Sequence, residues 1–270
     1  MKLRVIYTDV DGTLVGPGGC LFLNSQKNYT LEPAKTIVAA LKKDLDIVMI
    51  SGRNRDQLRE DARIMGFKNY IAEAGAEIVY DLGRKFVQNI GDFKMTEPTV
   101  FKTILKSGAP KVLFERYKGN LEYHTPWSEQ RHYTHLLRGR IDVDEANAFL
   151  QSEGFADLKV TDNGRIFVKS DTLNVKEPHA YHLLPKATDK GSAIRKDREI
   201  RKIKKEETIA IGDSEADLPL ANEVETLFLV ANAIKDDPEL PKKAQKFANV
   251  VVTKSERGLG WAEAVQQFLR

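Results

Sequence analysis

Fully apolar runs alternate with amphipathic stretches over the first eighty residues. "KLRVIYTD" reads as a strand buried on both faces that ends on an acidic residue. "LEPAKTIVAALKKD" carries Leu31, Ile37, Val38 and Leu41 at helical spacing, with a proline in its first turn. "DIVMIS" is a second buried strand that stops at Ser51-Gly52. "RDQLREDARIMG" follows as a helix closed by Gly66, and "YIAEAG" and "EIVYD" are short strands around a glycine turn. The alternation returns near residue 190. "KGSAIRKDREIRKIKK" reads as a helix, "TIAIGDS" as a buried strand stopped by an acidic turn, and "EADLPLANEV" as a helix. "TLFLVAN" and "VVVT" are strands, and "RGLGWAEAVQQFL" is a last helix. Strand–helix order of this kind predicts an α/β doubly wound parallel sheet with a Rossmann-like layout.

The middle of the chain has a different pattern. "KVLFERY", "NLEYHT", "LKVTDN" and "RIFVKS" read as strands, with Asn163-Gly164 as a hairpin turn. "EPTVFKTILKSG" and "VDEANAFLQSEG" read as helices, the first ended by Gly108 and the second capped by Asp142 or Asp144. The pattern predicts an α+β module at 83–185 inserted between two core segments, 1–82 and 186–270. Flexible crossings are expected near Asp81–Gly83 and Leu184–Ala187.

Composition changes this picture little. The 270 residues are 41% apolar and 30% charged, enough for a sizeable core, and 42 basic against 39 acidic residues leave a net charge of +3. That excess implies neither a nucleic-acid nor a membrane partner. The lone Cys20 excludes an intramolecular disulfide and suits a reducing compartment. No apolar run is long enough to span a bilayer or to act as a secretory h-region, so a cytoplasmic location is expected.

The strand ends carry the chemistry. In an open parallel sheet, ligands bind at the carboxyl ends of strands near a switch in strand order. Asp9 and Asp11 lie at one such end, Ser51 at a second and Asp213 at a third, while Lys190 opens the helix before that third strand. Residues i and i+2 on an extended segment face one side, so the two aspartates repel unless a cation lies between them. Hard oxygen ligands of this type suit Mg²⁺ shared with a substrate phosphate. Gly12 allows close backbone approach to a phosphate, and Ser51 and Lys190 offer it a hydroxyl and a positive charge. No Walker A loop is present, and a carboxylate nucleophile forming an acyl phosphate is the more natural chemistry.

"DVDGTL" at 9–14, "ISGR" at 50–53, "DKGSA" at 189–193 and "GDSEAD" at 212–217 resemble the four ordered motifs of the haloacid dehalogenase superfamily. The insert resembles the large α/β cap of its Cof-like phosphatase branch, and the fourth motif is close in style to mannosyl-3-phosphoglycerate and sucrose-phosphate phosphatases. The resemblance implies a Mg²⁺-dependent phosphatase acting on a small phosphorylated metabolite. Asp9 is then the nucleophile and Asp11 the general acid and base. Asp9, the Asp11 carbonyl and Asp213 hold the metal, which Asp217 reaches through water unless it orients Lys190 instead. Ser51, Gly52, Arg53 and Lys190 hold the phosphoryl group. One position departs from the pattern, with Ala216 where the motif usually has Asn. A phosphomutase with the same nucleophile, or a phospho-ligand sensor without turnover, are the alternative readings. In the insert, "EYHTPWSEQRHYTHLLRGR" offers His124, Trp127, Arg131, His132, His135, Arg138 and Arg140 as residues to close over an anionic substrate.

Overall fold

Two sheets organise the chain, which the computed structural model describes at residues 2–166 and 172–269. The first segment forms β1 (Val5–Thr8), α1 (Glu32–Lys42), β2 (Asp46–Ile50), α2 (Arg55–Met65), β3 (Tyr70–Ala72), β4 (Glu77–Tyr80) and β5 (Lys85–Gln88). The middle adds α3 (Val100–Ser107), α4 (Ala109–Arg116), β6 (Leu121–Tyr123), β7 (His135–Gly139), α5 (Val143–Ser152), β8 (Leu158–Arg165) and β9 (His179–Pro185). The last segment contributes α6 (Lys190–Arg201), β10 (Thr208–Gly212), β11 (Thr226–Leu229), α7 (Asn232–Asp236), α8 (Leu240–Ala244), β12 (Val250–Val252) and α9 (Arg257–Gln266).

Among the described residues the larger sheet has the order β12-β11-β10-β1-β2-β3-β4-β5. Every pair from β12 to β3 is parallel, and β4 and β5 extend the edge antiparallel. The continuous apolar runs are explained by helices on both faces. Ile6, Ile47 and Met49 pack with Leu58 of α2 and Trp261 of α9 on one side. Val5, Tyr7, Val48 and Ile50 pack with Ile194 of α6 and Leu240 of α8 on the other. Strand order reverses at β1, where the chain first builds outward through β2 and β3 and later returns through β10 and β11.

The smaller sheet, β6-β7-β9-β8, is antiparallel and carries α3, α4 and α5 on one face. Tyr181 and Leu183 of β9 enter that core, which turns the intervening His182 to the opposite face. Thus the doubly wound core and the inserted α+β unit are both present. β5 nonetheless pairs with β4 in the larger sheet, although it lies inside the 83–185 range expected for the insert. Asp81–Gly83, expected as a flexible crossing, is the turn that joins those two strands.

Several local expectations are corrected. "KVLFERY" is helical, because Gly108 (φ 88) ends α3, Pro110 sits in the first turn of α4, and Ala109, Leu113 and Tyr117 are buried at four-residue spacing. Asn163-Gly164 makes no hairpin. β8 runs through it to Arg165, with an irregularity against β9 between Asp162 and Arg165. Of the expected "RIFVKS" strand, Arg165 ends β8, Ile166 lies outside any strand, and the rest falls outside the described residues. "EADLPLANEV" forms a 3₁₀ segment at Glu215–Asn222, whose interior Pro219 cannot donate to an α-helical ladder. Neither β7 nor β9 was anticipated.

Histidines buried in and under the smaller sheet make this unit sensitive to acid. His135 donates from Nε2 to the Phe101 carbonyl and accepts at Nδ1 from the Tyr123 hydroxyl, each at 3.0 Å. Burial pushes it down to about 4, with Arg131 adding to the effect. Burial, with Arg138 and Arg131, likewise pushes His124 down to about 4. For both, the unfolded chain takes up protons first as pH falls from about 6.5, so stability is complete above that value and drains away towards pH 4. Thermal unfolding compared at about pH 7.5 and about pH 5 should show a loss on the order of 1–2 kcal/mol from His135. His135→Gln should flatten the slope, and a melting temperature constant across that range would contradict neutral burial.

Candidate active site

The register of the larger sheet gathers three motif ends at one edge. Thr8 of β1 lies opposite Met49 of β2 and Ile211 of β10, so the residues that follow, Asp9, Ser51 and Asp213, leave the sheet together. The Asp9 amide donates to the Ile211 carbonyl at 2.9 Å, and the chain then turns as the Leu14 and Val15 amides converge on the Val10 carbonyl. Gly12 takes φ +82, and a Cβ there would collide with Asp213 Oδ2. Glycine thereby brings the Asp213 carboxylate against the backbone after Asp9.

Lys190, at the first turn of α6, is buried between two of these acids. Its Nζ donates to Asp9 Oδ1 and to Asp217 Oδ1, both at 2.7 Å. Asp9 is 7% exposed. Its other oxygen, Oδ2, has no protein hydrogen bond among the described residues. Burial raises Asp9 to about 7 against the opposing pull of Lys190, and Asp217 pushes in the same direction as burial. Asp213 is also raised, by burial and then by Asp9 and Asp217. Lys190 is held above its usual value because these carboxylates outweigh its own desolvation. Two of the three acids bond the single ammonium group, and Asp213 feels it only through space.

Asp217 has both oxygens engaged. Oδ2 accepts from the Asp213 amide (3.1 Å), the Ser214 amide (3.2 Å) and the Ser214 hydroxyl (3.0 Å). A Cβ at Gly212 would strike this carboxylate, which explains the glycine that ends β10. Ala216 makes no side-chain hydrogen bond, and the loop is tied through Asp217 instead.

Asp11 lies close enough for its charge to add to the rise of Asp9, yet it is turned to the rim. β1 ends at Thr8, so strand alternation stops before the pair is reached, and the Asp11 side chain is 59% exposed. It is gripped by Arg53, whose Nε and Nη2 donate to its two oxygens at 2.8 and 2.6 Å, while Nη1 donates to Asp61 at 2.6 Å. Ser51 is buried, and its hydroxyl accepts from the Arg53 amide at 3.2 Å.

The smaller sheet closes over this edge. Arg131 donates from Nη2 to the Gly52 carbonyl (2.6 Å), from Nη1 to Thr134 Oγ1 (2.9 Å) and from Nε to the Trp127 carbonyl (3.1 Å). Glu73, buried just beyond β3, accepts from the His132, Tyr133 and Thr134 amides at 2.8–3.1 Å and from the Thr134 hydroxyl at 3.0 Å. Glu77 binds Arg55 and accepts from the Tyr133 hydroxyl at 2.9 Å. Of the insert residues singled out from sequence, Arg131 reaches the motif loops by its side chain. His135 is packed inside the unit, Arg138 pairs with Glu122, and Trp127 is exposed. Glu73 and His182 were missed. The alternating "HAYHLLP" was the available signal for His182, whereas Glu73 carried none.

Among the described residues no group of three or more His, Cys, Asp or Glu side chains is arranged to hold a metal alone. The motifs point to the Asp9 and Asp213 carboxylates and the backbone carbonyl of Asp11 as the donors that would hold a metal at these strand ends. Such a set leaves positions for water and phosphoryl oxygens, as Mg²⁺ requires. The negative charge left over after Lys190 is of the sign a divalent cation would offset, so the donors fit this ion.

Fold and strand-end acids together define a hydrolase class. Residues 6–260 match the family model of haloacid dehalogenase-like hydrolases, and the chain belongs to that family. It is 24% identical over 99% of both chains to a phosphoglycolate phosphatase of Metallosphaera sedula. It is 22% identical, over 98% of this chain and 97% of the relative, to a glucosyl-3-phosphoglycerate/mannosyl-3-phosphoglycerate phosphatase of Persephonella marina. The sucrose-phosphatase of Synechocystis, solved with sucrose and phosphate, superposes with a TM-score of 0.68 at 18% identity, covering 99% of this chain and 98% of that one. No helix among the described residues is long and apolar enough to cross a membrane.

Removing the shared ammonium should be costly. Lys190→Met leaves Asp9 and Asp217 facing each other without a cation, and denaturant unfolding should register a loss of about 3–5 kcal/mol. An unfolding midpoint equal to the parent's would show that Lys190 does not bind this cluster together.

Proposed function

We propose that this hydrolase is a Mg²⁺-dependent phosphatase. Its substrate is a small phosphomonoester, of the sugar phosphate or phosphoglycerate type, and turnover passes through an aspartyl phosphate. The observation that carries this reading is Asp9. One carboxylate oxygen is fixed by Lys190 at 2.7 Å, and the other is unbonded at the mouth of the parallel sheet. A nucleophile held by one oxygen and free at the other is oriented for in-line attack.

In the first half-reaction Asp9 Oδ2 forms a bond to phosphorus as the ester P–O bond breaks. Asp11, having taken a proton from solvent once released from Arg53, gives it to the leaving alkoxide. In the second, Asp11 takes a proton from water as that water attacks phosphorus, the P–O bond to Asp9 breaks, and inorganic phosphate leaves. Asp11 begins paired with Arg53. An incoming phosphoryl group competes for the same guanidinium, and Asp11 is then free to turn towards the leaving oxygen. Ser51, the Gly52 backbone and Lys190 position the phosphoryl oxygens. Asp217, saturated by Lys190 and the 213–214 backbone, acts as a positioning residue rather than as a ligand. When bound to Asp9, Asp213 and the Asp11 carbonyl, Mg²⁺ supplies charge neutralisation on the transferring oxygens.

We place the core at 1–89 and 186–270 and the cap at 90–185. The Thr188 hydroxyl donates to the Asn89 carbonyl at 2.8 Å, which ties the two crossings side by side. Cap closure excludes bulk water during transfer.

Phosphate release from a panel of sugar phosphates, phosphoglycerates, phosphoglycolate and nucleotides is the test, with Mg²⁺ and then with EDTA. Release from a few related compounds, abolished by EDTA, is expected; no release from any compound by the folded, Mg²⁺-supplied protein would overturn the reading. Asp9→Asn should lower turnover by about three orders of magnitude or more while leaving the melting curve in place. Activity within tenfold of the parent would remove Asp9 from the mechanism.

A further inference from the structure

The loop after β2, Ser51 to Arg53, has every one of its carbonyl groups engaged by protein. The Ser51 carbonyl accepts from the Ala74 amide at 3.0 Å, and the Arg53 carbonyl accepts from the Glu73 amide at 2.9 Å. The Gly52 carbonyl is met from the cap, by Arg131 Nη2 at 2.6 Å. With its acceptors occupied, the loop is left with donors. Among the described residues neither the Gly52 amide nor the Ser51 hydroxyl proton has a protein acceptor.

The contact at Gly52 bears on Ser51 as well. A trans peptide is planar, and its C=O and N–H point in opposite directions. The unit that joins Gly52 to Arg53 is gripped at both ends. Arg131 takes its carbonyl, and its N–H, that of Arg53, donates to Ser51 Oγ at 3.2 Å. The amide occupies a lone pair of Ser51 Oγ, so the serine accepts there and its own proton stays free to donate. Residue 52 cannot hold this plane by itself. His182 and Asn163 pack so closely that a Cβ would lie 2.5 Å from His182 Nε2 and 3.1 Å from the Asn163 amide nitrogen. Glycine is therefore required, and glycine resists a peptide flip least. After a flip the Gly52 carbonyl would face Ser51 Oγ and take its proton, and a phosphoryl group would lose a donor.

Arg131 is itself fixed. Its side chain and that of Glu73 are 1% and 3% exposed, with the nearest charged atoms 3.6 Å apart. Thr134 Oγ1 lies between them, accepting from Arg131 Nη1 at 2.9 Å and donating to Glu73 Oε2 at 3.0 Å. Glu73 thus restrains the loop twice, by its amide at Arg53 and by its carboxylate through Arg131.

We propose that Arg131, steadied by Glu73, is a positioning residue for phosphoryl binding: the cap locks the 51–53 loop as a cradle of donors without touching the ligand. The inference rests on the phosphatase reading and adds the origin of the loop's affinity for an anion.

The test titrates inorganic phosphate as an inhibitor against turnover of whichever phosphomonoester the parent hydrolyses, with Mg²⁺ present. Arg131→Met should raise KM and the phosphate inhibition constant by about tenfold, while kcat falls by less than about threefold. In a Ser51→Ala background the same substitution should change the phosphate constant by less than about threefold, because the hydroxyl through which it acts is gone. Arg131→Lys keeps the buried charge opposite Glu73 and covers the case in which the methionine variant fails to fold. Its single ammonium lacks the fork, and the constant should still rise by about threefold or more. Phosphate constants equal to the parent's in the folded variants, or an effect of the same size with and without the Ser51 hydroxyl, would overturn the proposal alone. No turnover of any compound by the folded, Mg²⁺-supplied parent overturns the phosphatase reading, and this inference with it.

Discussion

The ammonium of Lys190 between Asp9 and Asp217 is the contact on which the rest of the site depends. It joins the end of β1, the start of α6 and the turn after β10, three segments up to 208 residues apart in the chain. Each acid is expensive to bury unless its charge is answered, and one lysine cannot answer three. The fold accepts that imbalance at the one edge where strand ends converge. The negative charge left over there distinguishes the cluster from a closed structural salt bridge and is of the sign that a cation would offset.

The glycines of the motifs serve this arrangement by bringing charge near backbone. Gly12 admits the Asp213 carboxylate, and Gly212 admits that of Asp217, whose second oxygen gathers the 213–214 amides. Arg53 performs a different task at the rim. It grips the exposed Asp11 in a bidentate pair, so that one guanidinium answers that charge. The core thereby separates a buried carboxylate, Asp9, from an exposed one, Asp11.

Above this edge the cap is anchored by charge as well. Glu73 gathers three amides and a hydroxyl from one cap loop, and Arg131 returns a hydrogen bond to Gly52. A solved structure 18% identical to this chain superposes over almost its whole length, so the architecture tolerates wide variation in sequence.

Local pattern alone determined the doubly wound core. Buried runs such as "VIYT" and "TIAIG" are covered on both faces and lack the alternation that invites misassignment, and the acidic or glycine stops mark their carboxyl ends. Motif order likewise brought Asp9, Ser51, Lys190 and Asp213 to one edge, because parallel register fixes where strand ends lie. Only the tertiary structure decided the rest. The different exposure of Asp9 and Asp11 was not legible from i, i+2 spacing, because the strand ends one residue before the pair. "KVLFERY" became a helix through its glycine and proline boundaries and through burial against the cap sheet. Asn163-Gly164 was absorbed into β8 by pairing with β9, a partner that follows it in the chain. Glu73 gave no sign in the sequence, since an isolated carboxylate acquires its role from amides some sixty residues away. Short-range chemistry is written in spacing, whereas long-range charge matching exists only once the two sheets are brought face to face.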